Sequence, residues 1–230
     1  MVHFTLFGIP VYIRPSFWVV LAIFGGALSI SSVEDLIYPA LFVIAGFVAI
    51  LSHEMGHALV GRKLGGGQQT IVLELFGGLT SSHGMQLTRG GRALMILAGP
   101  MMTLLLGIIS LGLTWNIVAP VMTSYNLNFW DLAISPFTAA LISPTLYILS
   151  CLIMIGEWWT ILNLLPIYPL DGGQLIAQYI RSPRKVFMTG FITAILIGLL
   201  SFQLFHGYFI PIFMALFAYS NYREYKNAPF

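Results

Sequence analysis

Long apolar stretches divide the chain. Pro15–Val33, Leu36–Ser52, Ala93–Trp130 and Val186–Tyr222 contain no Asp, Glu, Lys or Arg. A helix needs about 20 apolar residues to cross about 30 Å of hydrocarbon. The pattern therefore predicts about six transmembrane helices, near 17–32, 37–61, 93–115, 140–164, 186–205 and 207–222. The fourth is interrupted by Glu157, and the last two are divided at His206–Gly207. Ala93–Trp130 is too long for one helix, so an outer loop is expected to hold Pro120, Asn126, Asn128 and Asp131. Two segments have a different pattern. His3–Arg14 alternates loosely around Gly8 and Pro10, which predicts a short strand pair or an interfacial segment. Gln69–Thr80 is rich in β-branched and bulky residues and predicts one or two short strands bent at Gly77–Gly78, after Gly65–Gly66–Gly67 ends the second helix. The expected fold is an all-α polytopic membrane protein with short β segments near the N-terminus and between helices 2 and 3. It is read as a single domain over 1–230, with 37–61, 93–115 and 140–164 as core spans and the other three as peripheral ones.

Composition agrees with that reading. Only 8 % of the 230 residues are charged and 58 % are hydrophobic, against about 25 % charged in an ordinary soluble domain. So few charges cannot cover a water-facing surface, and so apolar a chain is not disordered. The net charge of +2 is too small to suggest nucleic acid. The single cysteine, Cys151, allows no internal disulfide.

The distribution of charge sets an orientation. With six spans, Arg14, Arg62, Lys63, Arg89, Arg92, Arg181, Arg184, Lys185, Arg223 and Lys226 all fall on one side, whereas Glu34, Asp35 and Asp131 fall on the other. Basic residues collect on the cytoplasmic side, so both termini are expected in the cytoplasm of a multi-pass cell-membrane protein.

Ser52–His53–Glu54–Met55–Gly56–His57 contains H-E-x-x-H. Four residues turn a helix through about 400°, which puts His53 and His57 on nearly one face, where both imidazoles can reach one zinc ion. Glu54 lies beside them, placed to take a proton from water. The alternative is an interfacial polar helix end without metal, but ionisable groups inside a membrane are costly and by default functional. Hydrolytic zinc usually has three protein ligands. His3, His83 and His206 are the other histidines; Asp171 is the stronger candidate for a third ligand. It ends Asn163–Leu164–Leu165–Pro166–Ile167–Tyr168–Pro169–Leu170–Asp171, in which two prolines prevent a regular helix, and Gly172–Gly173 permits unusual backbone angles. Unwound backbone at membrane depth is tolerated only around protein or a wet cavity. Taken alone, Asp171 reads better as the N-cap of a helix beginning at Gly172.

HEMGH on one apolar helix followed by LPIYPLDGG after a later one resembles the site-2 protease family of intramembrane zinc metalloproteases. LFGIPVYIRPSFW resembles the family's opening segment, ELFGGLTS its β segment, and Ala98–Gly99–Pro100 its third-helix signature. The resemblance spans most of 4–176. It implies His53, His57 and Asp171 as zinc ligands, Glu54 as general base, and Asn163 as a group that positions substrate or stabilises the oxyanion. It also implies a minimal form without PDZ or CBS domains, acting in regulated intramembrane proteolysis. Thr103 departs from the pattern, since many members have Asn after the Gly-Pro pair.

A zinc ion would polarise the scissile carbonyl and acidify water, while Glu54 would carry the proton to the leaving amine. A helical substrate hides its carbonyls and must unwind before attack. An extended stretch could then pair with an exposed strand edge, which makes Val72, Leu73, Leu75, Gly77 and Gly78 candidate substrate-binding residues. The expected partners are a transmembrane protein substrate and the lipid bilayer, with control by substrate supply, a membrane partner, or gating by the first and last two helices. The different-class alternative is a catalytically inactive metal-binding membrane protein or a transporter, which would not need Glu54. Glu157 and His83 read as structural or loop residues, and Arg62–Lys63 as a headgroup anchor.

Overall fold

A computed structural model describes residues 1–125 and 143–229, apart from Gly66, Phe76 and Met85. The expected outer-loop residues Asn126, Asn128 and Asp131 lie outside the described residues. The chain forms two compact units, Met1–Thr160 and Ile161–Phe230.

The first unit opens with a hairpin, β1 (Val2–Leu6) and β2 (Ile9–Ile13), in which Leu6 is registered with Ile9. Its two-residue turn is Phe7–Gly8, with φ of 50° and 75°. Two positive φ values give the turn whose twist matches the flanking strands. Pro10 lies within β2, opposite Thr5, rather than in the turn, and it precedes Val11, the first residue registered with β3. Its missing N–H therefore interrupts no ladder. β3 (Gln68–Glu74) runs parallel to β2, and β4 (Gly77–His83) returns antiparallel to β3, giving one sheet of order β1-β2-β3-β4. A parallel pair needs a crossover, supplied by α1 (Pro15–Phe24) and α2 (Ile37–Gly65). One face of the sheet is apolar. Ile9, Val11, Ile13, Ile71 and Leu73 are buried with Phe17 and Leu21 of α1 and Ile50, Met55 and Ala58 of α2. Fully burying such side chains is worth about 1.5–3 kcal/mol each.

Two sequence expectations change here. The first helix has ten residues, not the span expected over 17–32, and at 1.5 Å per residue it reaches only about 15 Å. Gly25 and Gly26 end it. Gly26 has φ 90°, which a residue with a Cβ resists, and a Cβ on Gly25 would lie 3.1 Å from Phe42 of α2. The approach to α2 is then fixed by Asp35, whose carboxylate accepts from Ser31 and Ser32. Those bonds hold its pKa below the ordinary carboxylate value. The second change concerns the strands. Val72 and Leu73 lie on β3, which is paired on both sides; the terminal strands of the sheet are β1 and β4, and of the two it is β4 that lies against Glu54. An edge able to accept another strand must be sought at Gly77–His83.

α3 (Arg89–Tyr125) continues well past the expected 93–115 and takes in position 120. α4 (Pro144–Leu164) is the fourth apolar helix. Small residues let these helices approach closely. A Cβ on Gly56 would collide with the Ala98 carbonyl, one on Gly61 would lie 2.9 Å from Met95 Sδ, and one on Gly156 would lie 2.9 Å from the Thr103 carbonyl. Ala45 of α2 packs against Tyr147 and Cys151 of α4. Arg62 does not serve only as a headgroup anchor: its guanidinium donates to the Phe7 carbonyl at 2.7 Å and ties α2 to the β1–β2 turn.

The second unit contains the end of α4, an irregular segment, α5 (Asp171–Ala177), α6 (Pro183–Phe205) and α7 (Phe209–Asn227). α6 stops where the sequence break predicts, with His206 at φ 51°. Ile167, Ala194, Met214 and Ala218 form the core of this unit.

Among the described residues, four helices are long and apolar enough to cross a membrane: Ile37–Gly65, Arg89–Ile117, Pro144–Leu164 and Pro183–Leu204. Ile108, Leu113, Leu196 and Leu199 are exposed on them, as a lipid-facing surface requires. This is a mostly helical multi-pass membrane protein with a small four-stranded sheet.

Candidate metal centre and active site

The H-E-x-x-H motif lies wholly within α2, in the stretch that packs against α3 and the sheet. His53, Glu54 and His57 are all buried. The two imidazoles have ring centroids 4.7 Å apart and stand nearly perpendicular, as one helical turn predicts. His57 Nδ1 lies 2.8 Å from the Met95 carbonyl oxygen. A carbonyl only accepts, so Nδ1 carries the proton and Nε2 keeps its lone pair. His53 Nδ1 lies 3.5 Å from Thr103 Oγ1, which puts its Nε2 on the same side as that of His57. The two Nε2 atoms converge on Gly99 of α3: a Cβ there would collide with His57 Nε2 and lie 2.9 Å from His53 Nε2. Two Nε2 atoms on one glycine-lined side, each ring met from behind at Nδ1, fit a zinc ion. The Ala98–Gly99–Pro100 segment thus has a physical use: only glycine leaves room between the imidazole nitrogens and the helix.

Thr103 has the polar role that the sequence left open. Its hydroxyl is fully buried, 3.0 Å from both the Pro100 carbonyl and Thr160 Oγ1. It joins α3, α4 and the back of His53. Trp159 meets His53 at right angles, with centroids 6.5 Å apart.

Strand β4 covers the carboxylate of Glu54. A Cβ on Gly78 would overlap the Glu54 side chain, and one on Gly77 would lie 2.6 Å from the Trp159 ring. Gly77 also has φ 119°, closed to other residues. Glu54 Oε2 accepts from the Thr80 hydroxyl at 2.7 Å, and the Glu54 carbonyl lies 3.1 Å from the same oxygen. Thr80 was not recognised in the sequence, although period-2 alternation places it on the Gly78 face of β4.

In the second unit, Asn163 is buried in the last turn of α4 and Asp171 is buried in α5. Leu170 is the helix N-cap and Asp171 the first helical residue, so the N-cap reading of Asp171 does not hold. Gly172 and Gly173 have helical backbones. Their role is close packing: a Cβ on either would collide with the backbone of Leu164, Leu165 or Ile167. The structure thus brings His53, Glu54, His57, Gly77 and Gly78 together in the first unit, and in the second sets Asn163 and Asp171 at the two ends of one tight bend. Leu75 lies in the turn between β3 and β4.

A family model for peptidase family M50 matches residues 41–205, a span that includes the H-E-x-x-H helix and the LPIYPLDGG segment. The chain belongs to peptidase family M50. A zinc metalloprotease of Methanocaldococcus jannaschii is 29 % identical over 227 residues, which cover 94 % of this chain and 57 % of the relative. The chain thus spans little more than half the length of that protein. The solved site-2 protease from Methanocaldococcus jannaschii shares the fold, with a TM-score of 0.61 at 23 % identity, over 97 % of this chain and 94 % of that one.

Proposed function

We propose that this M50 chain is an intramembrane zinc metalloendopeptidase that hydrolyses peptide bonds within or near the transmembrane segments of membrane-protein substrates. The observation that carries the reading is the pair of Nε2 atoms turned to Gly99 beside the buried Glu54 carboxylate. His53 and His57 would hold the ion, with the buried Asp171 as third ligand. A bound zinc ion supplies a Lewis acid for the scissile carbonyl and acidifies water at neutral pH. Glu54 takes the proton of the attacking water and returns it to the leaving amine. Thr80 holds the carboxylate through Oε2, which fixes its rotamer. Asn163, through its amide, donates to the developing oxyanion.

The substrate enters unwound and pairs with the outer edge of β4. Gly77 and Gly78 bring that edge over Glu54, Leu75 flanks it, and Val72 and Leu73 support it from β3. The protein acts as a single unit in the cell membrane. The uncharged stretch Pro15–Val33, of which α1 is the helical part, supplies one further crossing and α7 another, which makes six and sets both termini on the basic, cytoplasmic side. The deciding experiment is co-expression with single-span substrates. Wild type should cleave, and Glu54→Gln should abolish cleavage while retaining near-stoichiometric zinc. Cleavage by Glu54→Gln at the wild-type rate would refute the mechanism.

A further inference from the structure

We infer that Asn221, on the last helix, is a positioning residue for Asp171. The inference rests on the reading of Asp171 as a zinc ligand. Asn221 is 1 % exposed in a largely apolar helix pair, where a carboxamide is costly unless its donors are used. Its Nδ2 donates to the Phe217 carbonyl at 2.9 Å and to the Tyr168 carbonyl at 2.6 Å. The first bond is one that a helical Asn can make locally. The second crosses from α7 to the bend that leads into Asp171.

Each carbonyl from Ile167 to Leu170 has a donor. Ile167 accepts from Leu170 N–H at 2.8 Å, Leu170 from Gln174 N–H at 2.9 Å, and Pro169 from the Gln174 side chain at 2.9 Å. Those three bonds stay within the bend and α5. The bond at Tyr168 comes from a distant part of the sequence, so it is the one that fixes the bend against the α6–α7 pair. Gly190 of α6 clears the path: a Cβ there would collide with the Asn221 amide and lie 3.3 Å from Ile167 Cα. The amide oxygen of Asn221 has no hydrogen-bond partner among the described residues. An apolar side chain would avoid that cost, which argues that the residue is kept for its N–H groups. The bend carries Asp171 at its end, and orienting contacts of this kind typically change metal affinity about 10- to 100-fold.

The test uses the full chain in detergent or nanodiscs, with zinc affinity from chelator competition, kcat and KM on a cleavable single-span substrate, and the Tm of the zinc-free protein. Asn221→Leu removes the donor at similar volume, and Asn221→Asp removes it with the same shape. Both should lower zinc affinity about 10- to 100-fold and reduce kcat with KM unchanged, while the zinc-free Tm of Asn221→Leu stays at or above wild type. Gly190→Ala should weaken zinc in the same way by displacing the amide. Wild-type zinc affinity in Asn221→Leu and Asn221→Asp would overturn the proposal. So would a loss of zinc that tracks a fall in zinc-free Tm across all three variants, which would mark a purely structural residue. Asp171→Asn serves as the separate control: if it binds zinc like wild type, the reading of Asp171 itself fails, whatever the Asn221 variants do.

Discussion

At the scale of single residues, the site depends on small groups that touch the reactive ones. Gly99 leaves space for two imidazole nitrogens, Gly78 leaves space for a carboxylate, and one hydroxyl holds that carboxylate. Thr80→Val keeps the shape of the side chain and removes the hydrogen bond. A hydrogen bond to a charged group contributes about 1.5–3 kcal/mol. The expected result is a fall in kcat of about tenfold or more, with zinc content unchanged and activity recovered in Thr80→Ser; steady-state kinetics and metal analysis check both. His53, Glu54 and His57 were readable because their spacing is a helical geometry in itself. Thr80 was not, because its partner lies across a turn and a strand, and nothing in the local sequence announces that contact.

At the scale of elements, the last two strands of the sheet, internal β3 and terminal β4, differ in pairing. β3 is paired on both faces of its ladder, so Val72→Pro should break the sheet and lower the Tm of the whole protein. β4 is different. Glu74 and Gly77 close the hairpin, and alternation along an antiparallel pair then turns the N–H groups of Gly78, Thr80 and Ser82 outward. Ser82→Pro removes one outward donor, while Ser82→Ala removes only the hydroxyl. KM should rise several-fold in the proline variant relative to the alanine variant, with zinc and Tm alike in the two. Equal KM values would argue against strand addition at this edge. The strands themselves were legible from alternation and glycine. Their order was not, because β2 and β3 are neighbours in space but are separated in sequence by α1 and α2.

At the scale of the whole molecule, the scarcity of charge fixes the environment, and its distribution is the basis of the proposed orientation. Ten basic residues on one proposed side predict that a reporter fused after Phe230 works only in the cytoplasm; activity confined to the outside would overturn the topology. The long helices were legible because a bilayer imposes a minimum apolar length that can be read off the chain. The short first helix was not. Its apolar run continues past Gly25–Gly26, and only contact with Phe42 and a backbone turn at Gly26 reveal where the helix stops.

The sequence by itself determined the class of molecule, the helix that carries H-E-x-x-H, the acidic bend and the family resemblance. Each of these depends on periodicity, composition or spacing, which are local properties of the chain. The tertiary structure decided which nitrogen of His57 is protonated, which terminal strand lies against Glu54, why Gly99 and Gly172 must be glycine, and which distant amide holds the bend before Asp171. Those depend on contacts between residues far apart in sequence, such as Met95 with His57 and Asn221 with Tyr168. Such contacts are set by how the elements pack, and no local pattern encodes them.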